Sequence, residues 1–585
     1  MSVAPVAADE PAPAEKPDAT RARPDGWWKS AVVYQIYPRS FADSNGDGMG
    51  DLPGILPRLD YLKRLGVDVV WLSPVYVSPQ DDNGYDIADY TDVDPVFGTL
   101  ADLDAVIAGL HERDMKLMMD LVVNHTSDEH PWFAESRDPG SAKRDWYWWR
   151  PAREGHQAGT PGAEPTNWGS AFSGSAWQFD ETTGEYYLHL FSPKQPDLNW
   201  ENPEVRRCVY AMMRWWVDRG VDGFRMDVIN LISKPTELLD GPIADAQRYS
   251  PAFVPVANGH RLDEFLAEMN REVGLDVANL ISVGEMPGAS IDTALAATDP
   301  SRRELGMVFT FEHVSLDQVP GGSKWDLADL PLPVLKGNLA VWQEGLAEVG
   351  WNSLYWNNHD QPRAVSRFGD DSAEFRIPSA KTLGTVLHLH KGTPYVYQGE
   401  EIGMTNTNFT DISQYEDLES VGYHAEALTL GLEAEAVLRS LSVKSRDNAR
   451  TPMQWDDRSH AGFSEGIPWL PVNPNYVVVN AHAAVNDPDS VFHHYRRLIE
   501  LRHRDPVVVH GRFALLLPEH DRLWAFTRTL ENTVLLVVAN MSAAALELPT
   551  DQLPDLTGAV LVLGTHGQTD GSTLAPWESR ILRLA

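Results

Sequence analysis

VDGFRMDVI, residues 221 to 229, sets an arginine and an aspartate, Arg225 and Asp227, two positions apart inside an otherwise apolar, strand-like run. Residues at i and i+2 of a strand share a face, and charge buried there is costly unless it is paired or used. Seven comparable runs flank this one: AVVYQIY (31 to 37), DVVWLSPV (68 to 75), KLMMDLVV (116 to 123), LISVGEM (280 to 286), GMVFTF (306 to 311), SLYWNNH (353 to 359) and TPYVYQG (393 to 399). Helical spacing fills the intervals. Leu52, Ile55, Leu59, Leu62 and Leu65 predict a helix ending at Gly66, and Val205, Val209, Met212, Trp216 and Val217 predict another. Eight strand-and-helix units predict a (β/α)8 TIM barrel.

Two intervals are too long for plain βα connections. Residues 126 to 200, after the third strand, are rich in aromatics (Trp132, Trp146, Tyr147, Trp148, Trp149, Trp168, Trp177, Tyr186, Tyr187) and predict an inserted subdomain. Residues 404 to 480, after the eighth strand, form a second insertion, and both would wall the mouth of the barrel. The barrel then occupies 26 to 125 and 201 to 508. Beyond it, 509 to 585 carries only strands (FALLL, LWAFTRT, TVLLVVAN, AVLVLG, RILRL) and predicts a small β-sandwich. Residues 1 to 25, Ala, Pro and charge without an apolar core, predict a disordered tail and no secretory signal.

Composition narrows the partners. The 585 residues carry 48 Lys and Arg against 84 Asp and Glu, a net charge of −36, which disfavours nucleic acid and anionic membrane. No stretch approaches the ~20 apolar residues of a membrane span. The one cysteine, Cys208, cannot form an internal disulfide and suits a reducing compartment, so a cytoplasmic location is expected.

Functional residues of a barrel project from strand C-termini. Here Asp120, Asn124 and His125 end the third strand, Arg225 and Asp227 the fourth, Glu285 the fifth, and His359 and Asp360 the seventh. An ion-pair network would account for any one of them; Asp227, Glu285 and Asp360 on one rim suit glycosidic cleavage, with a nucleophile, a protonated acid and a further anion for an oxocarbenium-like transition state. Arg225 would hold Asp227 ionised, and the apolar ISVG before Glu285 would raise its pKa.

DLVVNH (120 to 125), GFRMDVIN (223 to 230), GEMPG (284 to 288) and NNHDQPR (357 to 363) resemble, in order, the four signature stretches of the α-amylase superfamily of glycoside hydrolases, over about 26 to 585. The resemblance implies Asp227 as nucleophile, Glu285 as general acid/base and Asp360 as transition-state stabiliser, with His125, Arg225 and His359 holding the reacting glucose. QPDLNW (195 to 200), Val228 and SRDNARTPMQW (445 to 455) look like the oligo-1,6-glucosidase branch. That likeness implies that Asp82 and Tyr85 contact the terminal glucose, that Arg450 pairs with Asp82 to close the pocket, and that Val228 beside the leaving group favours α-1,6 links.

DSNGDGMGD, 43 to 51, alternates Asp43, Asn45, Asp47 and Asp51 along a Gly-rich loop, and the Met49 carbonyl could complete a shell for a hard cation. Gly54 stands where an EF-hand would need Glu, so it is not one. Related oligo-1,6-glucosidases resemble it here, which implies a structural Ca2+. No Cys/His set has zinc spacing, and no catalytic metal or cofactor is expected. Trp146 to Trp149 read as subdomain core more readily than as sugar platforms.

The expected function is a retaining exo-α-glucosidase acting on short oligosaccharides by double displacement. One alternative is a transglucosylase or sucrose isomerase using the same intermediate; the remote one is an inactive accessory protein on the same barrel.

Overall fold

Eight parallel strands form the centre of the molecule: β1 (Val33–Ile36), β2 (Val69–Leu72), β3 (Lys116–Leu121), β4 (Gly223–Met226), β5 (Ile281–Glu285), β6 (Met307–Phe309), β7 (Ser353–Leu354) and β8 (Thr393–Tyr397). In the computed structural model, which describes residues 26–243, 248–566 and 571–585, they pair in the order 6-5-4-3-2-1-8-7. A parallel bridge from Val308 to Asn352 joins the two ends and closes the barrel. All eight predicted runs contain a strand. Residues 1 to 25, expected to form a tail, lie outside the described residues.

The strands are buried on both faces, which is why they read as continuous apolar runs. Val33, Val69, Trp71, Met118, Ile281, Val283 and Met307 pack in one cluster. The alternating Tyr34, Val70, Leu72, Leu117, Met119 and Phe224 join another that includes the covering helices. Pro203–Arg219 shows how a helix is built: Asn202 accepts from the Glu204 N–H, proline occupies the first turn, and Gly220 ends it in a left-handed conformation (φ 113°). Val205, Val209, Met213 and Trp216 face inward. The helix expected over 52 to 65 is broken into Leu52–Ile55, a 3-10 turn Leu56–Arg58 and Leu59–Leu65. Pro57 lacks the N–H that a continuous helix needs, whereas Pro53 lies in the first turn, where none is required.

Residues 126 to 200 contain a three-stranded antiparallel sheet, Trp149–Arg150, Glu185–Leu188 and Trp177–Asp180 in spatial order. Trp146, Trp148 and Trp149 are buried. Helices Leu418–Thr429 and Ala434–Lys444 dominate the segment after β8. The C-terminal part is an antiparallel five-stranded sheet faced by a two-stranded ribbon, Leu546–Glu547 with Thr573–Leu574. No described helix is long and apolar enough to cross a membrane.

Candidate active site

Arg225 sits inside the barrel, 1% exposed, with its guanidinium 5.0 Å from the Trp71 ring. Nη1 donates to Asp120 Oδ1 at 2.8 Å and to Asp227, and Nη2 pairs with Glu285 Oε2 at 2.6 Å. One cation thus gathers carboxyls from β3, β4 and β5. Asp227 follows β4 directly, its N–H bound to Leu121 O at 2.9 Å, and it lies within hydrogen-bonding reach of the Glu285 carboxyl.

Burial opposes charge on these groups, and Arg225 only partly offsets it. Glu285 rises to about 8, from burial against the pull of Arg225, helped by Asp227 and Asp360. Asp227 rises to about 6, from burial offset by Arg225. At neutral pH the first is therefore protonated and the second ionised, the division that acid and nucleophile require.

Asp360 is set apart by its neighbours. Burial opposes its ionisation, yet His359, Arg446 and Arg450 hold its carboxyl well below the usual range. Arg450 Nη2 lies 2.8 Å and Arg446 Nη1 3.2 Å from Oδ1. Burial pushes His359 down to about 3, so it is neutral and the two arginines are the effective cations. Gln35 Nε2 donates to His359 Nδ1 at 2.8 Å, which leaves the ring proton on Nε2, facing Tyr85 Oη at 2.7 Å and Asp360 Oδ2 at 3.1 Å. The Tyr85 ring stacks on the imidazole at 5.2 Å, and its hydroxyl also donates to Asp120 Oδ2 at 3.1 Å.

The far wall differs from expectation. Asp82 is buried, but Arg446 reaches it, Nη2 to Oδ1 at 3.4 Å; Arg450 instead holds Asp360 and, at 3.5 Å, Asp417. Arg446 also binds Asp417 through Nε at 3.0 Å. The two arginines are one helical turn apart in SRDNAR and end up with different partners, a choice that spacing cannot make. Asp82 rises to about 7 through burial, with Arg446 and Arg450 opposing. Gln195, from QPDLNW, donates to Asp82 Oδ2 at 3.1 Å and lies 3.2 Å from His125 Nε2. Arg446, Asp417 and Gln195 were not singled out in the sequence; the pair of arginines and the QPDLNW match were the signals available.

Several of these groups line a cavity of about 180 Å3. Asp82, Tyr85, His125, Asp227, Glu285, Asp360 and Arg446 make its polar side, and Val228 with Phe172, Phe191, Phe253, Phe311 and Pro287 its apolar side. The four phenylalanines come from separate loops and carried no sequence signal.

The loop at 43 to 51 is braced by its own oxygens. Asp43 accepts from the N–H groups of Asn45, Gly46 and Gly48, Asn45 from Asp47, and Asp47 from Met49, each within 2.8 to 2.9 Å. Asp51 caps the helix at 52 through the Gly54 N–H and takes Ser44 on its other oxygen. Among the described residues no three His, Cys, Asp or Glu side chains cluster as a metal site, so a cation here would depend on Asn45 and the Met49 carbonyl beside Asp43 and Asp47.

Two buried carboxyls that share one arginine at the C-terminal rim of a (β/α)8 barrel suit the chemistry of a glycoside hydrolase. The α-amylase catalytic domain matches residues 35–511, and the chain belongs to that family. It is 54% identical over 568 residues to an oligo-1,6-glucosidase of Parageobacillus thermoglucosidasius, covering 95% of this chain and 99% of that one. Among solved structures it is similar to a trehalose-6-phosphate hydrolase of Bacillus licheniformis (TM-score 0.89, 45% identity, 96% and 100% covered). It is also similar to an isomaltulose synthase from Klebsiella sp. LX3 (TM-score 0.89, 39% identity, 96% and 99% covered).

Proposed function

We propose that the protein is a retaining, exo-acting α-glucosidase that hydrolyses terminal α-glucosyl links of short oligosaccharides, α-1,6 links ahead of others. The observation that carries this is the single guanidinium of Arg225 set between the carboxyls of Asp227 and Glu285, beside a cavity that the Asp82–Arg446 pair also lines. Glu285 passes its proton to the glycosidic oxygen as the C1–O bond breaks, the bonding pair leaving with that oxygen. Asp227 forms the new bond to C1. Water then gives its proton to Glu285 and attacks C1, and Asp227 leaves as carboxylate. Asp360, held ionised by Arg446 and Arg450, would stabilise positive charge on the ring. Asp82, Tyr85, His125 and His359 would grip the terminal glucose, and Val228 at the apolar side supports the α-1,6 preference.

Initial rates on isomaltose, maltose, sucrose and trehalose, with product analysis, test the reading. Isomaltose should be hydrolysed fastest, and Asp227→Asn should lose roughly four orders of magnitude. Isomerised sucrose as the main product would place the chain with the sugar-transferring alternative, and equal, negligible turnover in wild type and variant would refute an enzyme.

A structural Ca2+ in the loop at 43 to 51 is part of the proposal, held by Asp43, Asn45, Asp47 and the Met49 carbonyl, with Asp51 supplying charge from its cap position. Millimolar Ca2+ should raise Tm by several degrees and chelator should lower it, with Asp47→Ala insensitive to both. The lone cysteine favours a cytoplasmic site of action.

A further inference from the structure

Val228 is a β-branched residue held in the left-handed region, at φ 35° and ψ 42°. For such a side chain that backbone is a genuine outlier, and strain of this kind persists only where the surroundings enforce it. They do so from both sides: Asp227 N–H is tied to Leu121 O at 2.9 Å and Leu231 N–H to Val228 O at 2.9 Å. Helix initiation does not explain the strain. Val228 is the N-cap of the 3-10 turn Ile229–Leu231, but its side chain caps nothing, and an N-cap ordinarily adopts extended backbone. What the conformation achieves is the direction of one N–H, which donates to Glu285 Oε2 at 3.0 Å.

We propose that Val228 is a positioning residue whose strained main-chain N–H, together with Arg225 Nη2, fixes Oε2 of Glu285 as an acceptor and so keeps the acid's proton on Oε1. The Val228 N–H donates to Oε2, and the positive charge of Arg225 Nη2 stands 2.6 Å from the same oxygen; among the described residues no N–H donor reaches Oε1. A proton on Oε2 would compete with the Val228 N–H for that oxygen's lone pairs and stand against the Arg225 cation, so it is disfavoured there. The proton therefore stands on Oε1, and Val228 sits with Glu285 in the cavity wall. This rests on Glu285 being the general acid and adds how its proton is placed.

The charged and titratable groups facing Glu285 are Arg225 and Asp227 from β4, Asp120 from β3, and Tyr355 and Asp360 from the β7 segment. None is altered by removing the Val228 N–H alone. Incorporating the α-hydroxy acid analogue of valine at 228 replaces that N–H by an ester oxygen and keeps the side chain. Because the bond favours the ionised acid, the alkaline limb of the kcat/KM profile should move up by about one pH unit, with a lower kcat. An unmoved limb in folded ester protein would overturn the proposal. Val228→Gly keeps the N–H and tolerates the left-handed backbone, so its limb should stay in place whatever happens to the rate; a shift matching the ester's would assign the effect to the side chain instead. In wild-type protein labelled with 15N-valine, the Val228 amide should titrate with the alkaline pKa and be flat in Glu285→Gln. A flat wild-type amide would sink the idea even if the ester protein fails to fold. Should Glu285→Gln keep hydrolysing, the assignment of the acid fails while the amide titration still tests the hydrogen bond.

Discussion

The two sides of the cavity recognise by different means. On one side Asp82, Asp227, Glu285 and Asp360 face the cavity with Asp120 and Asp417 buried behind them, and three guanidiniums, those of Arg225, Arg446 and Arg450, hold all six. On the other, Phe172, Phe191, Phe253 and Phe311 are half-buried rings from four loops, with Phe191 5.7 Å from both Phe172 and Phe253. A site of buried polar groups punishes a missing or misplaced partner, whereas an apolar wall discriminates only weakly. The glycone side should therefore be strict and the leaving-group side tolerant.

Apart from loss of Asp227 itself, the largest expected effect comes from removing the cation shared by Asp82, Asp360 and Asp417. Arg446→Met leaves Asp82 and Asp417 short of their cation in a dry site, where breaking a buried pair costs about 3–5 kcal/mol. We expect kcat/KM to fall by about 10³-fold and Tm to drop, measured by steady-state kinetics and calorimetry; a loss below tenfold would mean the wall is not strict. Next is pH. Asp227 must be ionised, so activity falls as pH drops through about 6, and Glu285 must be protonated, so it falls again as pH rises through about 8. The profile of kcat/KM should be bell-shaped, about tenfold per unit on each limb, with apparent values that belong to the coupled group and not to single residues. The smallest effect should be on the apolar side: Phe253→Ala should raise KM about fivefold for an aryl glucoside with kcat nearly unchanged, as suits loss of part of one ring contact. A larger fall in kcat than in 1/KM would show that the rings act in the transition state.

Much of this was legible because it is local. The alternation of β-branched runs and 3.6-residue spacing, and polar residues stranded inside apolar runs, are patterns of neighbours. They placed all eight strands, and they put Asp227, Glu285 and Asp360 on one rim, where the structure brings all three to the cavity. Pro57, which breaks the helix at 52 to 65, is equally visible in the sequence.

What a linear pattern cannot choose is a partner among near-equivalents. Arg446 and Arg450 differ by one turn, and only packing decided that the first would reach Asp82 and the second Asp360. The same holds for the four phenylalanines, which gather from loops with no common period, and for Val228, whose left-handed backbone runs against the preference of its own side chain. Sequence by itself determined the barrel and the order of its carboxyls, because burial periodicity and strand length act over a few residues. The tertiary structure alone decided which cation meets which anion and how far each carboxyl is desolvated, because those depend on distances between residues far apart in the chain.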